Sequence, residues 1–65
     1  MTEEKFNECV YAFTDALYRF VLKNVGDIQS AEDIVQESFV RLWETRGKVR
    51  DGSQKSYLFT IAYRL

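Results

Sequence analysis

Ser30-Ala31-Glu32-Asp33-Ile34-Val35-Gln36-Glu37-Ser38-Phe39-Val40-Arg41-Leu42-Trp43-Glu44 is the stretch whose reading decides the fold. Ala31, Ile34, Val35, Phe39, Leu42 and Trp43 recur at steps of three and four, which puts them on one side of an α-helix. Ser30 carries the side chain of an N-cap, able to accept from the N–H groups that a first turn leaves unpaired. Asp33 stands three residues on, where a capping box has its acid, although Glu or Gln is the usual residue there. Glu32 and Asp33 put negative charge at the positive end of the helix dipole. Asp33, Gln36, Glu37, Arg41 and Glu44 fall mostly away from the apolar side.

Upstream, Phe6, Val10, Phe13, Leu17, Phe20 and Val21 step by three and four and predict a first helix from about Thr2 to Asn24. Cys9 and Ala16 border that stripe. Thr2 fits its N-cap, Glu3 and Glu4 its first turn, and Lys23 its last. Gly26 is placed to end it in a left-handed conformation. The connection Gly26-Asp27-Ile28-Gln29 is short, which favours antiparallel neighbours.

Downstream, Arg46-Gly47-Lys48-Val49-Arg50-Asp51-Gly52 has two glycines and little apolar content, and reads as a loop. Ser53 offers a third N-cap. Tyr57, Leu58, Ile61, Ala62 and Leu65 form a third helical stripe. It is still running at Leu65 with no stop signal before it, which reads as a piece of a longer chain. The expected fold is therefore all-α, a three-helix bundle. Its core sets Phe6, Val10, Phe13, Leu17, Phe20 and Val21 against Ile34, Val35, Phe39, Leu42 and Trp43, closed by Leu58, Ile61 and Leu65. Trp43 belongs to that core.

The chain has 65 residues, enough for one small domain. There is no His, so the commonest general base and metal ligand is missing. The single Cys9 has no His to activate it and no second Cys to pair with. The glycines form no phosphate-binding loop. Asp33 with Glu37 is a carboxylate pair on an exposed helix face, a weak basis for catalysis or metal binding. These absences exclude an enzyme domain and predict no cofactor. No signal peptide or membrane span is visible, and a reducing cytoplasm is the expected location.

Charge is unevenly spread. Residues 1–40 hold three cations against eight acids, and residues 41–65 hold six cations against two. An acidic front and a basic back fit two different partners, or else a solvated surface. The same alternatives hold for the polar side of the central helix, which is an ordinary wet face or a docking ridge for a partner helix. Behind it, Lys48, Arg50, Lys55 and Arg64 lie near Tyr57, Phe59 and Tyr63. Cations track a phosphate backbone and aromatic rings stack on unpaired bases, unless the rings simply finish the core.

Asp33-Ile34-Val35-Gln36-Glu37-Ser38-Phe39-Val40-Arg41-Leu42-Trp43, followed by Ser56-Tyr57-Leu58-Phe59-Thr60-Ile61-Ala62, resembles region 2 of bacterial RNA polymerase sigma factors. The nearest likeness is to the extracytoplasmic-function (ECF) group of the sigma-70 family, and it covers nearly the whole chain. Tyr18-Arg19-Phe20 in the first helix resembles the start of that region. The resemblance implies transcription initiation. Asp33, Gln36 and Glu37, with Arg41 as a weaker member, would contact the clamp helices of the polymerase β′ subunit. The loop Val49-Arg50-Asp51-Gly52, preceded by Lys48, and the helix bearing Lys55, Tyr57 and Arg64 would recognise and help melt the promoter -10 element as non-template single strand. Many members have Trp where Tyr57 stands and Asn near Arg64, so the promoter sequence need not follow theirs. The resemblance also implies an anti-sigma factor as a partner and a second DNA-reading domain, region 4, that this chain lacks. The competing reading is a helical interaction module, of anti-sigma or adaptor type, that touches no nucleic acid.

Overall fold

A computed structural model describes all residues 1–65. Three helices form the chain: α1 (Glu3–Val25), α2 (Ile28–Glu44) and α3 (Gln54–Arg64), with a one-turn 3-10 helix (Arg46–Lys48) before α3. None is long and apolar enough to cross a membrane. The molecule measures 32 × 20 × 16 Å. At about 1.5 Å per residue, α1 matches its longest dimension.

The start of α1 follows its sequence signals. The Thr2 hydroxyl oxygen accepts from the Lys5 N–H at 3.1 Å, with Glu3 and Glu4 in the first turn. Gly26 ends the helix at φ 70°, and its N–H donates to the Leu22 carbonyl at 2.8 Å. A side chain here would meet no neighbour, but the left-handed backbone would strain it.

The start of α2 corrects the sequence reading. Its N-cap is Asp27, whose carboxylate accepts from the Ser30 N–H at 2.8 Å. Ser30 is thus a donor inside the first turn, and Asp33 is not part of a capping box. The left-handed Gly26 turns the chain directly into Asp27, which takes the cap first. Ser53 does precede α3, but its side chain makes no capping bond. Instead the Gln54 side chain folds back, its Oε1 accepting from the Gly52 N–H at 2.8 Å.

Leu17, Leu42 and Leu58, one from each helix, are fully buried and meet in the core with Val21, Ala31, Val35, Phe39, Val49 and Ala62. Phe6 contacts the rings of Phe39 and Trp43 edge-on, at 6.3 and 5.1 Å between centroids. Since Phe6 begins α1 and Trp43 ends α2, the two helices run antiparallel. Phe20, near the far end of α1, meets Phe59 of α3 at 5.3 Å.

Several core expectations shift. Phe6, Val10, Phe13, Phe20, Ile34 and Ile61 are only half-buried, packed against the centre and not inside it, and Trp43, also half-buried, packs on Phe6. Three helices of this size cannot enclose so many large side chains. Leu65 is exposed and Ala62, one turn earlier, closes the core in its place. Val49 is buried within the expected loop and pins it to the bundle.

A candidate docking ridge and nucleic-acid face

On α2 the buried side is Ala31, Val35, Ser38, Phe39 and Leu42. Ser38 tolerates complete burial because its hydroxyl donates to the Ile34 carbonyl at 2.6 Å. Asp33, Gln36, Glu37, Val40, Arg41 and Glu44 are all exposed. At 3.6 residues per turn, Asp33, Glu37, Val40 and Glu44 run along the line opposite the core. Val40, half exposed, sets an apolar side chain in the middle of this polar ridge. Reading the ridge from its polar residues alone passes over it.

The ridge has two flanks. Gln36 and Val40 border a shallow, largely apolar groove towards α1, floored by Phe6, Val10, Phe39 and Trp43. Glu37 and Arg41 face the other way, into a cleft of about 420 Å³ between α2 and α3. Tyr57, Ile61 and Arg64 form the opposite wall of that cleft. Arg41 Nε donates to Glu37 Oε2 at 3.1 Å across one turn, with both side chains about half exposed. Such a pair is worth about 0.3–0.5 kcal/mol at most.

The basic back is built in pieces. Arg46 is held at the end of α2, stacked on Trp43. Lys48 and Arg50 are exposed on either side of buried Val49 and make no ion pair. Gly52 turns the chain at φ 90°. Gln54 follows, buried, with its Nε2 lacking any partner. Lys55 lies with Nζ 5.8 Å from the centre of the Phe59 ring, on the flank that meets Phe20.

The structure therefore divides the five cationic and aromatic residues singled out in the sequence. Tyr57 and Arg64 share the cleft beside α2. Lys55 sits about 160° around α3 from Tyr57. Lys48 and Arg50 occupy the approach to α3. Of the rings, Tyr57 and Phe59 are half-buried, whereas Tyr63 is the open one.

No group of three or more His, Cys, Asp or Glu side chains is placed to hold a metal ion. Burial pushes the Cys9 thiol pKa up; Lys5 opposes this and Glu8 adds to it. A buried thiol held protonated is a poor nucleophile.

The family model for sigma-70 region 2 matches residues 10–65. Over 48 residues the sequence is 38% identical to the ECF RNA polymerase sigma factor SigL of Mycobacterium tuberculosis, with the same figures for the H37Rv, CDC 1551 and Erdman strains. That alignment takes in 71% of this chain and 27% of the relative, so the chain spans about a quarter of the length of the curated proteins it matches. No solved structure matches it.

Proposed function

The chain belongs to the sigma-70 region 2 family, in its ECF group, and from that premise we propose that it acts in transcription initiation by joining core RNA polymerase to promoter DNA. The polymerase contact is the α2 ridge, through Asp33, Gln36 and Glu37. Its target is the paired clamp helices of the β′ subunit, where an acidic and amide-bearing ridge meets a helical partner by charge and hydrogen bonding. The DNA contact is the approach to α3 and its α2-facing flank. Lys48 and Arg50 follow the phosphate backbone, Tyr57 stacks on an unpaired base, and Arg64 and Lys55 add cationic contacts on either side. The ligand is the non-template strand of a melting -10 element. Extruding a base costs a few kcal/mol, which stacking and backbone contacts offset. No catalytic step is assigned to any residue. An anti-sigma factor that covers either surface would hold the protein inactive.

The observation that carries this reading is the separation of the two surfaces. Asp33 and Gln36 are exposed on α2 outside the α2/α3 cleft, while Tyr57 and Arg64 line that cleft, with Glu37 at the boundary between the two surfaces. One small bundle can thus hold a protein and a strand together. The test is a gel-shift of a single-stranded -10 oligonucleotide by the chain with and without isolated β′ clamp helices. A ternary complex is expected. Binding of the clamp helices with no strand binding under any condition would replace this reading by that of a helical interaction module.

A further inference from the structure

We infer that Arg41 and Arg64, on opposite walls of the cleft between α2 and α3, form a site for a backbone phosphate of single-stranded nucleic acid, with Glu37 as the residue that positions Arg41. This rests on the reading above that the α3 face takes an unpaired strand. It moves Arg41 from the polymerase ridge to the nucleic-acid face.

Placement is the first argument. Arg41 lines the same cleft as Tyr57, Ile61 and Arg64, whereas Asp33 and Gln36 do not reach it. The cleft, at about 420 Å³, is open to solvent along one side. Tyr57 and Ile61 give it an apolar wall for a sugar or base, next to the two guanidinium groups.

Donor accounting is the second. A guanidinium carries N–H groups on Nε and on both terminal nitrogens. Arg41 uses only Nε, on Glu37. Its terminal nitrogens have no partner, and Arg64 makes no ion pair. Paired terminal N–H groups match two oxygens of a phosphate, the geometry in which arginine binds most specifically. Glu37 engages the Nε edge and so biases Arg41 towards presenting its free edge to the cleft.

Charge decides what kind of site this is. Glu37 and Glu44 also border the cleft, so its two cations are balanced by two acids. It cannot draw a strand in from a distance. The unpaired Lys48 and Arg50 supply that attraction, and the cleft then fixes one phosphate at short range.

The experiment is equilibrium binding of a short fluorescent oligothymidylate over a series of salt concentrations, for wild type, Arg41→Ala, Arg41→Lys, Arg64→Ala and the double alanine variant. Each phosphate contact on a single strand contributes about 0.7 to the slope of log K against log salt. Either single alanine variant should lower that slope, and the double variant should lower it by about 0.7 in all, the contribution of the one phosphate they share. Arg41→Lys should keep the slope and still bind more weakly, because the charge remains and the planar fork is lost. Capture of the same variants on β′ clamp helices separates the two assignments. If Arg41→Ala keeps the wild-type slope while Arg50→Ala and Tyr57→Ala weaken strand binding, the cleft is no phosphate site. If Arg41→Ala loses the clamp helices and not the strand, Arg41 belongs to the ridge and the inference fails. Absence of salt-dependent strand binding by the wild-type chain removes the nucleic-acid reading itself, and this site with it.

Discussion

Arg46 lies over Trp43, its guanidinium carbon 3.9 Å from the ring centre, while its Nη1 donates to the Trp43 carbonyl at 2.8 Å. One side chain thus covers the indole and satisfies a carbonyl in the last turn of α2. Trp43 in turn contacts Phe6, so this stack closes the open end of the α1/α2 interface. Arg46→Ala should destabilise the protein by roughly 1 kcal/mol, as an exposed cation–π contact and a hydrogen bond are lost together. Trp43 is the only tryptophan. A red shift of its fluorescence, together with a lower thermal midpoint, is the measurement. No change in either would mean the stack contributes nothing in solution.

Leu42→Ala should be among the most damaging single changes. Leu42 is wholly buried and meets Leu17 and Leu58 at the centre. Buried Leu→Ala substitutions cost about 2–5 kcal/mol, while a chain of this length has a total stability of roughly 3–10 kcal/mol. Circular dichroism should find Leu42→Ala largely unfolded near physiological temperature, and Val40→Ala, on the exposed ridge, close to wild type.

Asp27 links α2 to pH. The hydroxyl and the backbone N–H of Ser30 hold its carboxylate pKa below the usual value. A carboxyl whose folded pKa is depressed contributes stability that is complete above its unfolded value, near 3.9, and is lost as pH falls through the lower folded value. Asp27→Asn keeps a capping side chain and removes the titration. Thermal midpoints of wild type and Asp27→Asn should therefore converge as the pH is taken below about 4, and a constant gap between them would refute the link.

Gln36→Ala combined with Glu37→Ala should weaken capture by the β′ clamp helices at least tenfold while leaving the thermal midpoint nearly unchanged. Both side chains are exposed, and the Glu37–Arg41 pair that is lost is a surface pair. Undiminished capture would move the docking surface off this ridge.

Tyr57 separates stacking from hydrogen bonding. Tyr57→Phe keeps the ring and should hold a single strand nearly as well as wild type, whereas Tyr57→Ala should cost about 1–3 kcal/mol of binding, the usual loss when a base-stacking ring is removed. Because Tyr57 is half-buried, each variant's melting curve must be read beside its affinity. Equal binding by Ala and Phe variants that both remain folded would deny the ring any part in strand recognition.

Much of the fold was legible because apolar spacing is a local signal. The three helices and the meeting of Leu17, Leu42 and Leu58 follow from it, while the Thr2 cap and the Gly26 terminus follow from the capping chemistry of those two residue types. Its failures are physical. The first turn of α2 carries exposed Ile28 and polar Gln29, so the periodicity begins only at Ala31 and hides the Asp27 cap. Ser38 and Gln54 look like surface residues until the Ser38 hydroxyl and the Gln54 Oε1 find backbone partners. Val49, isolated among charges, carries no periodic signal at all. The exposed ridge follows from the same helical spacing, but its proposed role came from resemblance to a family. The division of Lys55 from Tyr57 and Arg64 follows from their spacing on one helix, but which neighbour each flank of α3 meets is encoded in no local pattern.

Helix α2 contains neither glycine nor proline from Ile28 to Glu44, so nothing in it bends easily. Gln36, on the flank towards α1, and Arg41, on the flank towards α3, stand at a fixed interval of about 7.5 Å along its axis. The helix acts as a ruler between its two flanks. Two visitors gripping opposite sides are spaced by the protein and not by their own flexibility. A pair that fits the interval binds additively. A pair that misses it must be reconciled by side-chain rotamers, because the helix backbone will not bend to do so.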